Sequence, residues 1–353
     1  MLKLFIKIRN RLRYDITKSA RGTWVHPFLH SSYWHYLIFG SKETMNSNHF
    51  FAARPNAGAG IGHQLANWTA GYWWAQQFGL KYAHIPFSNS KWEYFLGFGE
   101  QEAKVEVLLK KGYKKVLLPY FDQHTDKEIA LVQCIIKSYS NQKIVFIAEQ
   151  DQDYTNQQDL QAILKQKFNA ASARKSDTLI YDPNCFNFAV HVRRTVVIDG
   201  VVTNESDKIK SHRWLVTNYY EKVLQQVMET LTLSKPIVIY VFSTGKQEEF
   251  AALSNYGTIR FCSDMDEYAS FLHLVRADLL ITSKSSFSYK PALISNGIKI
   301  CPRNFWHGYP DTKDWILVEN DGTFDVSLLD DGQRTTDNRK KTADNGQQTT
   351  EKE

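Results

Sequence analysis

A histidine and two adjacent arginines follow an apolar stretch of the chain. Residues 186–190 read Phe-Asn-Phe-Ala-Val and lead directly into His191, Arg193 and Arg194. Such a stretch is typical of an inner strand of a sheet, and ligands of open α/β sheets collect beyond the carboxyl ends of their strands. Because the planar guanidinium of arginine binds phosphate oxygens, the pattern predicts an anion site at this strand end. Pairing of the arginines with surface carboxylates is the simpler alternative.

Two more predicted strands end in polar residues. Residues 261–264 close with Asp264, and residues 282–288 contain four serines before a predicted short helix with Pro291 in its first turn. Hydroxyls and free backbone N–H groups at the start of a helix favour an anion, although serines there also fit a simple capping role. Asp266 is expected to cap the following helix, which leaves Asp264 to accept hydrogen bonds from a ligand such as guanine.

A glycine-rich turn precedes a long aromatic helix near the amino end. Gly58, Gly60 and Gly62 follow a predicted strand at 50–53, and the helix is expected over 63–78. The glycine spacing differs from the dinucleotide-binding fingerprint. Glycine still permits a close approach between the backbone and a ligand.

These motifs together resemble the fucosyltransferase superfamily defined by a His-x-Arg-Arg strand end, which includes bacterial α-1,2- and α-1,6-fucosyltransferases and protein O-fucosyltransferases. Residues 60–64 resemble its Gly-x-Gly-Asn-Gln loop, residues 191–194 its signature, and residues 283–288 its Ser-Ser-Phe-Ser segment. The three motifs occur in the family's order. The chain departs from the family at His63, where asparagine is usual, and at Thr195, where an acidic residue is expected nearby.

The resemblance implies an α/β fold of two Rossmann-like domains that face each other across a cleft, the glycosyltransferase B type. It implies an inverting, metal-independent transfer of fucose from GDP-fucose to a glycan acceptor, either a surface polysaccharide or a lipid-linked oligosaccharide, with no further cofactor. A different nucleotide-sugar donor on the same fold is one alternative. A nucleotide- or glycan-binding protein without turnover is the other.

The resemblance also assigns roles to residues of this chain. Arg193 and Arg194 are expected to bind the diphosphate and stabilise the departing GDP. The other expected donor contacts are Gly60, Gly62, His63, Gln64, His191, Asp264, Ser285, Ser286 and Phe287. The catalytic base is sought in the polar loop after the signature, which offers Asp199, Glu205, Asp207 and His212, with Glu205 and Asp207 ranked first.

Length and composition predict the domain organisation. A chain of 353 residues with 43% hydrophobic residues is expected to form two domains. We expect an amino-terminal segment at 1–47, an acceptor-binding α/β domain at 48–170, a nucleotide-sugar-binding α/β domain at 171–329 and a disordered polar tail at 330–353. The four widely spaced cysteines contain no zinc motif, so no metal site is expected.

Charge and hydropathy indicate where the protein acts. The formal net charge is +6, and residues 1–14 alternate apolar and basic side chains in the manner of an amphipathic helix on an anionic membrane. A helix docked on the protein surface gives the same pattern. The basic residues form no stripe with interleaved aromatics, which argues against nucleic-acid binding. No membrane span and no signal peptide is evident, so we expect a cytoplasmic protein, which is peripheral on the inner membrane face if residues 1–14 bind lipid.

Overall fold

The computed structural model describes residues 2–43, 48–149, 152, 154–194, 196–198, 201–203 and 212–329. The proposed bases Asp199, Glu205 and Asp207 and the tail at 330–353 lie outside these residues. The chain divides into two compact units. The first comprises Met1–Ala57, Gln64–Glu93 and Phe98–Tyr154, and the second comprises Gly58–His63, Tyr94–Gly97 and Thr155–Glu353.

A five-stranded parallel sheet organises the first unit. Its strands are β1 (Phe50–Ala53), β2 (Lys81–His84), β3 (Ala103–Lys104), β4 (Lys114–Leu117) and β5 (Ile144–Ala148), in the order β3-β2-β1-β5-β4. The helices are α1 (Leu2–Ser19), α2 (Ser31–Phe39), α3 (Ile61–Gln77), α4 (Ser90–Leu96), α5 (Val105–Lys110) and α6 (Asp126–Ser138). A 3-10 segment covers His26–Leu29. The first residues of α3 and the last of α4 belong to the second unit.

A six-stranded parallel sheet organises the second unit. Its strands are β6 (Phe186–Val192), β9 (Ile237–Ser243), β10 (Thr258–Phe261), β11 (Leu279–Ile281), β12 (Ile298–Pro302) and β13 (Trp315–Val318), in the order β10-β9-β6-β11-β12-β13. An antiparallel hairpin joins β7 (Val196–Ile198) and β8 (Val201–Thr203). The helices are α7 (Gln161–Ala170), α8 (Thr217–Thr230), α9 (Glu267–Arg276) and α10 (Ser286–Ile294), with 3-10 segments at Gln157–Leu160, Ser172–Ser176 and Gln247–Tyr256.

The inner strands are apolar because both faces of each sheet are covered. Every residue of β5 is buried, as are Phe188, Ala189 and Val190 in β6. The helix α3 packs closely on β1, since a Cβ at Gly71 would lie 2.5 Å from that of Ala53. The prediction of an α/β protein with two parallel sheets is confirmed.

Three details add to the sequence-based predictions. The last change between the compact units falls at residue 154, and α7 packs against α10 of the second unit, while the predicted domain boundary at 170 stays a prediction. The amino-terminal segment belongs to the first unit, where the Ser32 hydroxyl donates to the Leu117 carbonyl at 2.7 Å. The short helix predicted to have Pro291 in its first turn begins earlier, at Ser286, so Pro291 lies inside it. Among the described residues no helix is long and apolar enough to span a membrane.

Candidate functional site

The carboxyl ends of β6 and β11 lie side by side at the point where the second sheet changes direction. From β6 the chain moves outward through β9 to β10, and it then returns to place β11 on the other side of β6. In open α/β sheets, ligands bind beyond the strand ends at such a switch point. Any polar side chains that follow β6 and β11 are therefore candidates for ligand contacts.

Two hydrogen bonds link these strand ends. Nδ1 of His191 lies 2.7 Å from Oγ of Ser283. Nη1 of Arg193 donates to Oγ of Ser285 at 3.2 Å. Both serines are almost completely buried, whereas His191 and Arg193 are half-buried. The two serines thus hold the histidine and the first arginine in fixed positions at the switch point.

Ser285 also begins the helix α10. Its Oγ accepts a hydrogen bond from the backbone N–H of Phe287 at 3.3 Å, so Ser285 is the N-cap and Ser286 is the first helical residue. Helix N-termini favour anions because their backbone N–H groups and the helix dipole present positive charge. The guanidinium of Arg193 and the positive end of α10 are therefore joined through one serine hydroxyl.

The glycine loop packs directly on the start of α10. A Cβ at Gly62 would lie 2.6 Å from the carbonyl carbon of Ser286 and 2.8 Å from its Cβ, so any side chain there would clash with backbone. In the same loop, the backbone N–H of half-buried His63 donates to the carbonyl of Gly60 at 3.0 Å. Residues 58–63 belong to the second unit, so the loop and the strand-end residues share one compact body.

Gln64 has different surroundings from the rest of its motif. Its side chain is buried, donates to the hydroxyl of Ser88 at 2.8 Å, and accepts from the backbone N–H of Ser88 at 3.0 Å. Both residues belong to the first unit. The predicted donor contact of Gln64 stays a prediction, whereas its positioning of the segment after β2 is observed.

The guanidinium of Arg194 is bonded to protein acceptors through all three of its nitrogens. Its Nε donates to Glu249 at 3.1 Å, Nη1 donates to the carbonyls of Arg193 and Leu215 at 3.0 and 3.2 Å, and Nη2 donates to the Thr217 hydroxyl at 3.3 Å. The side chain is buried, at 8% exposure. These bonds give Arg194 a positioning role beneath the signature, and its predicted contact with the diphosphate stays a prediction.

The imidazole of His191 is held neutral. Burial, and then the positive charge of Arg193, lower the pKa of His191 to about 3. Its ring lies 5.6 Å from that of Phe287, which in turn contacts Phe271 at 5.9 Å. A neutral histidine beside Arg193 contributes hydrogen bonding without adding a second charge to the site.

Asp264 and Asp266, in the turn after β10, have different surroundings. Asp266 caps α9 by accepting from the backbone N–H of Ala269 at 2.8 Å, which confirms the predicted capping role. Asp264 is exposed in the preceding turn. Burial, and then the negative charge of Asp264, raise the pKa of Cys262 to about 11. Its predicted guanine contact stays a prediction.

The structure brings together part of the predicted set. The predicted residues that lie around the start of α10, linked by pairwise contacts, are Gly62, His191, Arg193, Ser285, Ser286 and Phe287. Ser283 was not among the predicted contacts, although it stands two residues before Ser285 at the same strand end. Glu249 was not predicted either, because it is 55 residues from Arg194 and offers no local signal. Of the four candidate bases, only His212 is described, and it is exposed.

Comparisons with known proteins give matches among solved structures alone. No protein-family model matches the sequence, and no curated protein matches it. The chain is similar to POFUT1 in complex with GDP-fucose, at 12% identity and a TM-score of 0.42, over 72% of this chain and 96% of that one. It is also similar to NodZ α-1,6-fucosyltransferase soaked with GDP-fucose, at 12% identity and a TM-score of 0.41, over 72% and 94%.

A further similar structure is the fucosyltransferase NodZ from Bradyrhizobium, at 11% identity and a TM-score of 0.39, over 72% of this chain and 95% of that one. All three TM-scores lie below 0.5. These similarities therefore carry no argument about function, which depends on the side chains of this chain.

Proposed function

We propose that the protein is a metal-independent, inverting glycosyltransferase that transfers fucose from GDP-fucose to a glycan acceptor. The observation that carries the proposal is the bond from Arg193 to Ser285, the N-cap of α10, at the switch point between β6 and β11. A guanidinium and a helix N-terminus side by side are suited to a diphosphate. The family-like order of the three motifs supports a sugar nucleotide with GDP as its leaving group.

The proposed reaction breaks the bond between the anomeric carbon and the β-phosphate oxygen of the donor. The acceptor hydroxyl attacks the anomeric carbon from the opposite face, and the electron pair of the broken bond leaves with GDP. Arg193 and the positive end of α10 stabilise the negative charge that develops on the departing diphosphate. Glu205 or Asp207 is the proposed base that takes the proton of the acceptor hydroxyl.

Asp264 is the proposed determinant of guanine. An exposed carboxylate can accept from both the N1–H and the amino group of guanine, a pair of donors that uracil and cytosine lack. We expect GDP to raise the melting temperature more than UDP or CMP does. Asp264→Asn should reduce that preference, whereas Glu248→Gln, a change at another exposed acid of the same unit, should keep it.

Turnover distinguishes this proposal from its two rivals. The protein is incubated with a panel of nucleotide sugars and a mixture of glycan acceptors, and the released nucleotide is measured. Release from GDP-fucose alone supports the proposed donor. Release from another nucleotide sugar favours the same fold with a different donor. GDP binding without release or transfer from any donor favours a binding protein.

We further propose that the first unit contacts an anionic lipid surface. In α1 the apolar residues Phe5, Ile8, Leu12 and Ile16 recur every three or four positions, which places them on one helix face. That face is turned to solvent, with exposures of 52–68%. Arg9, Arg11 and Arg13 are exposed on the same helix, which matches the charge of anionic lipid. The contact would place the enzyme at a membrane face where lipid-linked acceptors are found.

Vesicle sedimentation tests this surface. Wild-type protein should sediment with vesicles of phosphatidylserine and phosphatidylcholine and much less with phosphatidylcholine alone. A triple change, Phe5→Ser, Ile8→Ser and Leu12→Ser, should abolish sedimentation. Val107→Ser, a change at another exposed apolar residue of the first unit, should not. Equal sedimentation of the wild type and the triple variant would contradict the proposal.

A further inference from the structure

Two imidazoles and one carboxylate form a buried cluster in the first unit, apart from the strand-end residues described above. His26 opens the 3-10 segment, His30 immediately precedes α2, and Glu149 immediately follows β5. Their side chains are at most 5% exposed. Their nitrogen and oxygen atoms suited to metal binding all lie within 4.8 Å of one another.

The hydrogen bond of His30 fixes which of its nitrogens carries the proton. Nδ1 of His30 lies 3.2 Å from the carbonyl oxygen of His26. A carbonyl oxygen accepts only, so Nδ1 is the donor and carries the hydrogen. In the neutral ring, Nε2 then presents a lone pair. Metal-binding histidines commonly donate their second ring nitrogen to a backbone carbonyl in this way.

The lone pair of His30 faces another lone pair. Its Nε2 lies 3.9 Å from Oε1 of Glu149 and has no hydrogen-bond partner among the described residues. Two such acceptors facing each other in a buried site are unfavourable unless a hydrogen-bond donor or a cation lies between them. The cation can be a metal ion or a second proton on His30, and the two possibilities predict different metal contents.

The distances fit a small divalent ion. Zinc binds histidine nitrogen at about 2.0–2.1 Å and carboxylate oxygen at about 2.0–2.2 Å, so tetrahedral ligand atoms lie about 3.4 Å from one another. Nε2 of His26 is 3.3 Å from Oε2 of Glu149, and Nε2 of His30 is 3.9 Å from Oε1. Small side-chain shifts therefore suffice to close the three ligands around one ion.

Arg21 explains the position of only one of the two carboxylate oxygens of Glu149. Its Nε lies 3.4 Å from Oε2 of Glu149, and its guanidinium lies over the ring of Tyr120 at 4.4 Å. This ion pair, with the contact from His26, explains the burial of one carboxylate oxygen. It does not explain the direction of His30 Nε2 toward the other oxygen.

We propose that His26, His30 and Glu149 bind one Zn²⁺ ion, with water as the fourth ligand. The site would fix the segment before α2 to the carboxyl end of β5. Binding requires the lone pair of His26 Nε2, so any proton on that nitrogen moves to Nδ1 or is released to solvent. Two imidazoles and a carboxylate form a nitrogen and oxygen ligand set that suits zinc.

Metal analysis of the full chain tests the site. The protein is purified without a polyhistidine tag, stripped with a chelator, incubated with Zn²⁺ and passed through a desalting column. We expect about one zinc ion per chain by mass spectrometry. Added Zn²⁺ should raise the melting temperature of the stripped protein by about 5 °C. Absence of bound zinc together with an unchanged melting temperature would overturn the site and leave a protonated His30 as the explanation.

Variants separate this site from adventitious zinc. His30→Ala and Glu149→Gln should each lose the bound ion and the Zn²⁺-dependent rise in melting temperature. Glu149→Gln keeps the size and polarity of the side chain, so it still tests the site if His30→Ala fails to fold. His35→Ala is the matched control, because His35 lies in α2 and stacks on Tyr139 at 3.6 Å. A folded Glu149→Gln protein that retains its zinc would also overturn the site.

Discussion

The two arginines of the signature are neighbours in sequence and lie in opposite surroundings. Arg193 is half-buried and bonded to the hydroxyl that caps α10, whereas Arg194 is buried and bonded to four protein acceptors. These surroundings support the proposed diphosphate contact of Arg193 and a structural role at the strand end for Arg194.

Arg194 also has a carboxylate partner. Glu249, at the start of the 3-10 segment, pairs with Arg194 through Nε. The sequence lacks an acidic residue directly after Arg194, and Glu249 supplies a carboxylate partner from a distant part of the chain. Arg194 is therefore paired with a carboxylate even though no acidic residue follows it directly in the sequence.

The largest expected effect follows from removing the first arginine. Arg193→Ala should lower the rate of nucleotide-sugar turnover roughly 10²- to 10³-fold, because the charge on the departing diphosphate loses a donor. The melting temperature should change little. Steady-state assay of released nucleotide, with calorimetric unfolding alongside, measures both. Turnover close to that of the wild type would contradict the role given to Arg193.

Removing the second arginine should act on stability. Arg194→Ala leaves buried acceptors without donors and should cost about 3 kcal/mol of unfolding free energy. Glu249→Gln should cost less, because the Glu249 side chain is 44% exposed and an exposed ion pair contributes about 1 kcal/mol or less. Urea unfolding of the three proteins gives the comparison. A fully stable Arg194→Ala protein would remove the distinction between the two arginines.

Lowering the pH should reduce the free energy of unfolding of the protein because of His191. Its pKa is lowered to about 3 in the folded protein, so between pH 7 and pH 5 the folded ring stays neutral while the unfolded ring takes up a proton. The unfolded state is thereby favoured as pH falls, by about 2 kcal/mol from this group. His191→Gln should show a correspondingly weaker loss of stability over this range.

A matched histidine provides the control for the pH experiment. His124 is exposed in a turn of the first unit. His124→Gln should keep the wild-type dependence of unfolding free energy on pH. Identical pH dependence in wild type and His191→Gln would show that His191 titrates in the ordinary way.

The smallest expected effect concerns the hydroxyl that joins Arg193 to α10. Ser285→Ala removes the cap and should cost about 1 kcal/mol of unfolding free energy. It should also raise the KM for the donor several-fold, because Arg193 loses its positioning partner. Ser263→Ala, at an exposed serine after β10, should change neither quantity.

Much of the fold was predictable from the sequence because its strands are apolar runs bounded by turn residues. The run at 186–190 indicated an inner strand, and β6 is one. The start of α10 was missed because Pro291 suggested a first turn, whereas Ser285 caps the helix earlier. Local patterns gave no information about partners far along the chain, such as Glu149, which lies 123 residues from His26.

The site was predictable in its chemistry and less so in its geometry. The residue types at the ends of β6 and β11 indicated an anion site, and Arg193 and Ser285 do lie in contact. Which arginine faces that site depends on how the strand end is packed. Gln64 likewise has its motif position but pairs with Ser88. A motif specifies residue types, whereas tertiary contacts decide which of them are available to a ligand.

Calorimetric titration of GDP and GMP into wild-type and Arg193→Ala protein tests the central claim most directly. The β-phosphate is the group that distinguishes the two nucleotides, and Arg193 is the side chain assigned to the diphosphate. Wild-type protein should bind GDP more tightly than GMP, and Arg193→Ala should lose most of that difference while its GMP affinity stays nearly the same. An undiminished preference for GDP in the variant would contradict the account.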